Sequence, residues 1–257
     1  VFMRVMIARD KTGEKDQAAK LLKLNDDNAP GAPEQRDLKL RLAKREARVL
    51  KKLQHPNIMK LLRNELDHEK CPRLIVERLD GSTLDDLLCD GPLEPERACD
   101  LFSQLCEAVQ AAHNQNIIHR DIKPSNVMVL PEDGPDGSRE HLVLIDFGIS
   151  RQIYDERFPE TMDRPMGTPP YMAPELWDGP HDAGPWTDIY AMGVLLFETL
   201  TGCHPLKGEN LVDWARQHTE TLPPSPREFR PDLPREMSAV ILRALSKEPR
   251  DRYQSAL

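Results

Sequence analysis

Apolar residues recur along this chain in distinct rhythms, and each rhythm predicts an element. Alternation over Val1 to Ala8 predicts a strand, and the apolar run Ala18 to Leu24, after the turn-forming Lys11-Thr12-Gly13, predicts its hairpin partner. Asn25 to Arg36, with Asp-Asp-Asn and two prolines around Gly31, reads as a loop. From Asp37 to Leu53, Leu38, Leu42, Val49, Leu50 and Leu53 stand among Lys, Arg and Glu, as in an amphipathic helix that ends ahead of Pro56. Leu74-Ile75-Val76-Glu77 is an apolar strand running into Arg78-Leu79-Asp80 and breaking at Gly81. Leu84 to Cys89 and Glu94 to Gln115 have helical periodicity, the second with Leu101, Leu105, Ala108, Val109 and Ala112 on one face. Val127 to Leu130 and Leu142 to Ile145 read as strands joined by the Gly/Pro/Asp-rich stretch Pro131 to Glu140. A helix from Trp186 through Thr201, with Thr187 as an N-cap before Asp188 and Gly202 as its stop, is apolar on every side, which means burial. Pro223 to Pro234 is a connector, and Met237 to Leu245 another amphipathic helix.

Composition narrows the class without naming a function. At 257 residues, 39% hydrophobic and 30% charged, with a mean hydropathy of −0.58, the chain can bury one large core or two modest ones. A net charge of −8 gives a nucleic-acid partner no electrostatic support at the level of the whole chain. The five cysteines (Cys71, Cys89, Cys99, Cys106, Cys203) are odd in number and include no C-x-x-C pair, which argues against a zinc site or a disulfide framework and fits a reducing cytosol. The longest apolar segment, Ile189 to Leu200, is interrupted by Gly193 and Glu198 and is shorter than the roughly 20 residues of a membrane span.

The chemistry concentrates in His119-Arg120-Asp121-Ile122-Lys123-Pro124-Ser125-Asn126, with a second anchor at Asp146-Phe147-Gly148. Phosphoryl transfer needs a carboxylate to orient an attacking hydroxyl, a cation for the moving phosphate, and oxygen ligands for magnesium. Asp121, Lys123, Asn126 and Asp146 are residues of those types in that order. On these motifs the chain resembles a protein kinase catalytic domain of the Ser/Thr type, closest to the bacterial eukaryotic-like (Hanks-type) kinases, from Val5 to Tyr253.

The resemblance implies an α+β, bilobal fold: residues 1–77 a small antiparallel-sheet lobe truncated at its glycine-rich loop, 78–83 a hinge, and 84–257 a larger helical lobe with its final helix incomplete. It implies ATP and Mg2+ as cofactors, with Mn2+ as an alternative metal. Asp121 matches the catalytic aspartate, Lys123 the catalytic-loop lysine, and Asn126 and Asp146 the metal ligands. Lys20 matches the phosphate-binding lysine and Glu46 its helix partner, and Thr168 hydrogen-bonds near Asp121 and Lys123. Around the adenine the resemblance places Val5 and Ala18 above the ring, Met128 below, Ile145 nearby, Val76 beside it, and the main chain of Glu77 and Leu79 at its edge. Leu50, Leu61, His119 and Phe147 would stack as a column between the lobes. Arg120 and Thr161 are implied in regulation through the activation loop. Asp188 would hold the catalytic loop, and Glu175 would pair with Arg252. Met3 departs from the pattern, since it stands where a glycine normally lets backbone approach phosphate.

The implied activity is transfer of the γ-phosphoryl of ATP to Ser or Thr hydroxyls of proteins by a cytoplasmic domain, with a homodimer for trans-autophosphorylation. No nucleic acid and no membrane segment within this chain enter that reading, and an anchor beyond it is compatible with it. Met3 and the missing glycines suggest one rival, a pseudokinase that binds nucleotide without turnover. A small-molecule kinase is a second rival, opposed by the Gly167 to Tyr171 docking loop and Ala173-Pro174-Glu175.

Overall fold

The computed structural model describes residues 3–9, 16–22, 32–67, 72–131, 140–147, 168–179 and 182–257. Strands β1 (Met3–Arg9), β2 (Asp16–Leu22), β3 (Leu61–Glu65) and β4 (Arg73–Glu77) form one antiparallel sheet in the order β1-β2-β4-β3. In β4, which lies between two neighbours, Leu74, Ile75 and Val76 are all buried, so an unbroken apolar run suits it. The edge strand β3 exposes its middle residues.

Helix α1 (Ala32–Lys52) packs on this sheet through Leu42, Ala43, Ala47 and Leu50. It begins five residues before the expected start at Asp37. Pro33 does not prevent this, because a proline in the first helical turn removes an N–H that has no intrahelical partner anyway.

A second antiparallel sheet, β5-β6-β7, consists of β5 (Ser82–Thr83), β6 (Val127–Pro131) and β7 (Glu140–Leu144). It is tied to the segment after α1 by Met59 N–H to the Leu144 carbonyl (3.0 Å) and Leu144 N–H to the Asn57 carbonyl (2.8 Å). Gly81 leads into it at a point where a Cβ would lie 2.3 Å from the Val129 carbonyl oxygen, so only glycine lets the chain pass so close to β6.

The remaining helices are α2 (Leu84–Leu88), α3 (Pro95–His113), α4 (Glu175–Asp178), α5 (Pro185–Thr201), α6 (Leu211–Glu220) and α7 (Arg235–Ala244). Helix α5 is the centre of this part: Thr187 through Leu195 are all buried, and α3 and α7 pack on it. At Gly193 a Cβ would stand 2.8 Å from the Ala244 Cβ, which lets α5 and α7 approach closely. The α5 N-cap is Gly184 rather than the expected Thr187, because Pro185 opens the helix and Thr187 supports the cap from inside, its Oγ1 accepting Gly184 N–H at 3.2 Å. Helix α6 lies outside the apolar segments described above. Its signal is Asn210, whose side chain accepts the Asp213 N–H at 3.0 Å as an N-cap. An apolar groove of about 630 Å3 runs between α3, α5 and α7, lined by Phe102, Ile189, Met237 and Val240. The expected α+β class is what the structure has.

Candidate active site

The site is built from the loop after α3, and a buried carboxylate sets that loop's shape. Asp188 of α5 is 1% exposed, and a carboxyl group so placed must have its oxygens filled. Its Oδ2 accepts from His113 Nε2 (2.7 Å) and His119 N–H (2.9 Å), and its Oδ1 from Arg120 N–H (2.8 Å). Arg120 has φ of +63°, a left-handed conformation disfavoured for a side chain as large as arginine, and the Asp188 bonds hold it there.

His119 is 1% exposed, and burial holds its imidazole pKa below the usual histidine value, so the ring is neutral. Its Nδ1 accepts the Asp121 N–H at 3.3 Å, which leaves the proton on Nε2, 3.2 Å from the Ile145 carbonyl. The ring also lies 4.6 Å from that of Phe147, and Leu50 and Phe147 share one core with Leu61 packed against it.

Four side chains then converge. Thr168 Oγ1 donates to Asp121 Oδ1 (2.7 Å) and accepts from Lys123 Nζ (2.9 Å), while Lys123 Nζ also stands 2.9 Å from Asp121 Oδ2. Asn126 Nδ2 donates to the Asp121 carbonyl (2.7 Å) and to Asp121 Oδ2 (3.1 Å). A carboxylate held by a threonine hydroxyl, a lysine and an amide is oriented on both oxygens.

The amide nitrogen of Asn126 is used by Asp121, which leaves its side-chain oxygen as the atom that could hold a metal ion. Ile145 N–H donates to the Asn126 carbonyl at 2.9 Å, so β6 and β7 bring Asn126 next to the residue before Asp146. Asp146 has φ of +53° and an exposed side chain. An amide oxygen and a carboxylate are hard donors, and they fit a hard divalent cation such as magnesium.

Lys20, 4% exposed on β2, bonds Glu46 of α1 at 3.0 Å and also contacts Asp146. Thus one cation joins the first sheet, α1 and the start of the Asp146 segment. Ala18 pairs with Val76 across β2 and β4, with Val76 2% exposed and Ala18, Leu79, Met128 and Ile145 packed against the main core. The Glu77 N–H donates to the Lys60 carbonyl (3.0 Å), and its carboxylate accepts the Lys60 N–H (2.6 Å). The backbone of Val5 lies opposite Lys20 in β1, and the side chains of Met3 and Val5 lie outside the described residues, as do Gly148, Thr161 and Gly167.

Below α5, Arg252 grips Glu175 through two parallel bonds, NH1 to Oε1 (3.0 Å) and NH2 to Oε2 (2.9 Å). Thr187 Oγ1 adds a 2.7 Å bond to Glu175. Two supporting groups were not foreseen. His113, the third donor to Asp188, looks like an ordinary core residue of α3, and Thr187 looks like a cap.

With the geometry in hand, the comparison with known proteins is direct. Residues 1–256 match the protein kinase domain, and the chain belongs to that family. It is 32% identical to the serine/threonine-protein kinase PknB of Mycobacterium leprae, over 98% of this chain and 39% of that protein. It is 34% identical to PknB of Mycolicibacterium smegmatis and 33% to PknB of Mycobacterium tuberculosis, with the same two shares covered. The chain thus spans about two-fifths of the length of these curated relatives.

Proposed function

We propose that this domain transfers the γ-phosphoryl group of Mg-ATP to serine and threonine hydroxyls of proteins. The observation that carries the reading is the convergence of Thr168 and Lys123 on the Asp121 carboxylate, with Asn126 fastened to the same aspartate. A substrate hydroxyl entering beside Asp121 would take the place held by the Thr168 hydroxyl or share the carboxylate with it. Asp121 then orients that hydroxyl and accepts its proton, and Lys123 stabilises charge on the moving phosphoryl group. Lys20, held by Glu46, positions the nucleotide phosphates. Asn126 and Asp146 would hold magnesium, which when bound neutralises charge on the phosphate oxygens. Val5, Ala18, Val76, Met128 and Ile145 would enclose the adenine, with the main chain of Glu77 and Leu79 at its polar edge. Adenine binding of this kind is mostly burial with a few placed polar groups.

In the same reading, residues 1–77 and 84–257 act as two lobes joined by 78–83. Arg120 receives a phosphorylated Thr161 by a charge-assisted pair, two copies phosphorylate one another, and the domain works in the cytoplasm. The relatives' names and the turn Pro169–Tyr171 next to Thr168 support a protein acceptor over a small alcohol. Labelled ATP offered with casein-like proteins and with small alcohols tests this. Protein labelling at turnover in the rough range of 1 to 100 per second is the expected result. Labelling of small alcohols alone would overturn the assignment of substrate, and tight Mg-ATP binding with no transfer to any acceptor would favour the pseudokinase that Met3 suggests.

A further inference from the structure

Helix α1 has two faces of opposite character. Toward the sheet it buries Leu42, Ala43, Ala47 and Leu50, and from the same side Glu46 reaches Lys20 at 3.0 Å. Arg41, Arg45, Arg48 and Lys52 recur at spacings of four, three and four, so they line one stripe on the opposite side. Arg45, Arg48 and Lys52 are exposed, Arg41 is partly so, and Lys44 and Lys51 flank them. At 1.5 Å per residue the stripe is about 16 Å long.

This concentration of charge runs against the rest of the chain. The net charge of the whole is −8, yet α1 has eight Lys and Arg against three Asp and Glu in its 21 residues. Little of it is neutralised: Glu46 faces inward, Asp37 pairs with Arg41 at 3.0 Å, and Asp67 pairs with Lys44 at 2.9 Å. Arg48 and Lys52 make no ion pair among the described residues. Lys51 and Lys52, in the last turn, complement the helix dipole, but Arg41, Lys44, Arg45 and Arg48 stand ahead of that turn and gain nothing from it. Like charges three or four residues apart, as in Arg45–Arg48 and Arg48–Lys52, oppose a helix rather than support it. An anionic partner laid along the stripe turns that repulsion into attraction.

The stripe fits a peptide better than a lipid surface. Guanidinium groups occupy three of its four positions, and their planar forks match discrete carboxylate or phosphate groups through paired bonds. No large hydrophobic side chain of α1 is exposed among the described residues, so this face lacks the apolar contacts by which an interfacial helix enters a bilayer. Its length matches about five residues of extended chain.

We propose that the outer face of α1 is a docking surface for an acidic segment of a protein, whose carboxylate or phosphate groups sit along Arg41, Arg45, Arg48 and Lys52. The opposite face of the same helix holds Glu46 against Lys20, so a segment bound there steadies α1 on the sheet and Lys20 with it. Docking itself does not depend on the reading of this domain as a kinase, whereas its effect on nucleotide rests on that reading.

The test is fluorescence anisotropy with three labelled peptides of equal length, in which serine alternates with glutamate, with phosphoserine or with glutamine. They are offered to the wild type, to the double variant Arg48→Gln/Lys52→Gln, and to Arg216→Gln, a control at an exposed arginine of α6. Both substituted side chains of the double variant are exposed, so its melting temperature should match the wild type. The expected result is binding of the glutamate or phosphoserine peptide and not of the glutamine peptide, about 10-fold weaker in the double variant and unchanged in Arg216→Gln. The tighter of the two anionic peptides tells carboxylate from phosphate, and its affinity should fall as salt is raised. With that peptide bound, Mg-ATP should bind about 5-fold more tightly, a gain lost in the double variant. Equal binding by the wild type and the double variant overturns the proposal, and so does binding of phosphatidylserine vesicles by a protein that takes neither anionic peptide. A bound peptide that leaves Mg-ATP affinity unmoved overturns the coupling to Lys20. If the wild type binds no Mg-ATP, the kinase reading fails, and the peptide measurement still decides whether α1 is a docking surface.

Discussion

Two buried ion pairs in this domain are constructed on opposite plans. Lys20–Glu46 and Glu175–Arg252 are similarly shielded, with side chains 6% and 11% exposed in the first and 7% and 0% in the second. Arg252 makes two parallel bonds to Glu175 and spends its other donors on the carbonyls of Trp186, Ser246 and Lys247. Its guanidinium also lies over the Tyr190 ring at 4.8 Å. Lys20 makes one bond to Glu46 and shares its charge with Asp146, which comes from a different part of the chain. A planar guanidinium saturated on every side is a fixed joint, whereas an ammonium with rotatable donors can trade partners. Burial alone therefore does not separate a saturated pair from one free to exchange partners, and the number and geometry of partners does.

The strongest way to break that contrast is Arg252→Ala. It leaves Glu175 buried without its cation and should lower the unfolding free energy by about 3 to 5 kcal/mol, read from the denaturant midpoint. Lys20→Met should act on the other side of the ledger: phosphotransfer down about 100-fold or more, with a stability loss less than half that of Arg252→Ala. Equal destabilisation by the two substitutions would erase the distinction.

A third prediction concerns pH. Burial lowers the pKa values of His119 and His204, and that of His218 to about 3, with Lys247 and His204 also opposing charge on His218. Protonation is thus favoured in the unfolded chain, so this contribution to stability is present above the ordinary histidine value of about 6.5 and is lost as pH falls below it. Between pH 6.5 and 5, His218 alone should cost roughly 2 kcal/mol, and urea midpoints in His218→Phe should vary less with pH than in the wild type. The smallest effect sharpens the comparison from the structural side. Thr187→Val removes the bond to Glu175 and the cap bond from Gly184 N–H and leaves the bidentate pair, so it should cost about 1 to 2 kcal/mol and leave phosphotransfer unchanged.

The convergence of Asp121, Lys123 and Asn126 was legible in the sequence because they stand within six residues, and a loop that short brings them together whatever surrounds it. Glu46 was harder, since one glutamate on a charged helix looks like any other, and only the family resemblance set it apart. The packing around His218 could not be read at all. Trp177, Tyr190, Trp214 and His218 come from α4, α5 and α6, and a sandwich assembled from separate helices leaves no periodicity in any of them. The start of α1 was missed where Pro33 looked like part of a loop, because a first turn tolerates a proline that an interior does not.

The measurement that bears most directly on the whole reading is autophosphorylation with labelled ATP and magnesium, wild type beside Asp121→Asn. The substitution keeps size and hydrogen-bonding capacity while removing the carboxylate charge that Thr168 and Lys123 converge on. Label in the wild type that disappears in an Asp121→Asn protein of unchanged melting temperature is the predicted result. Equal label in both, or none in either while Mg-ATP remains bound, would contradict it.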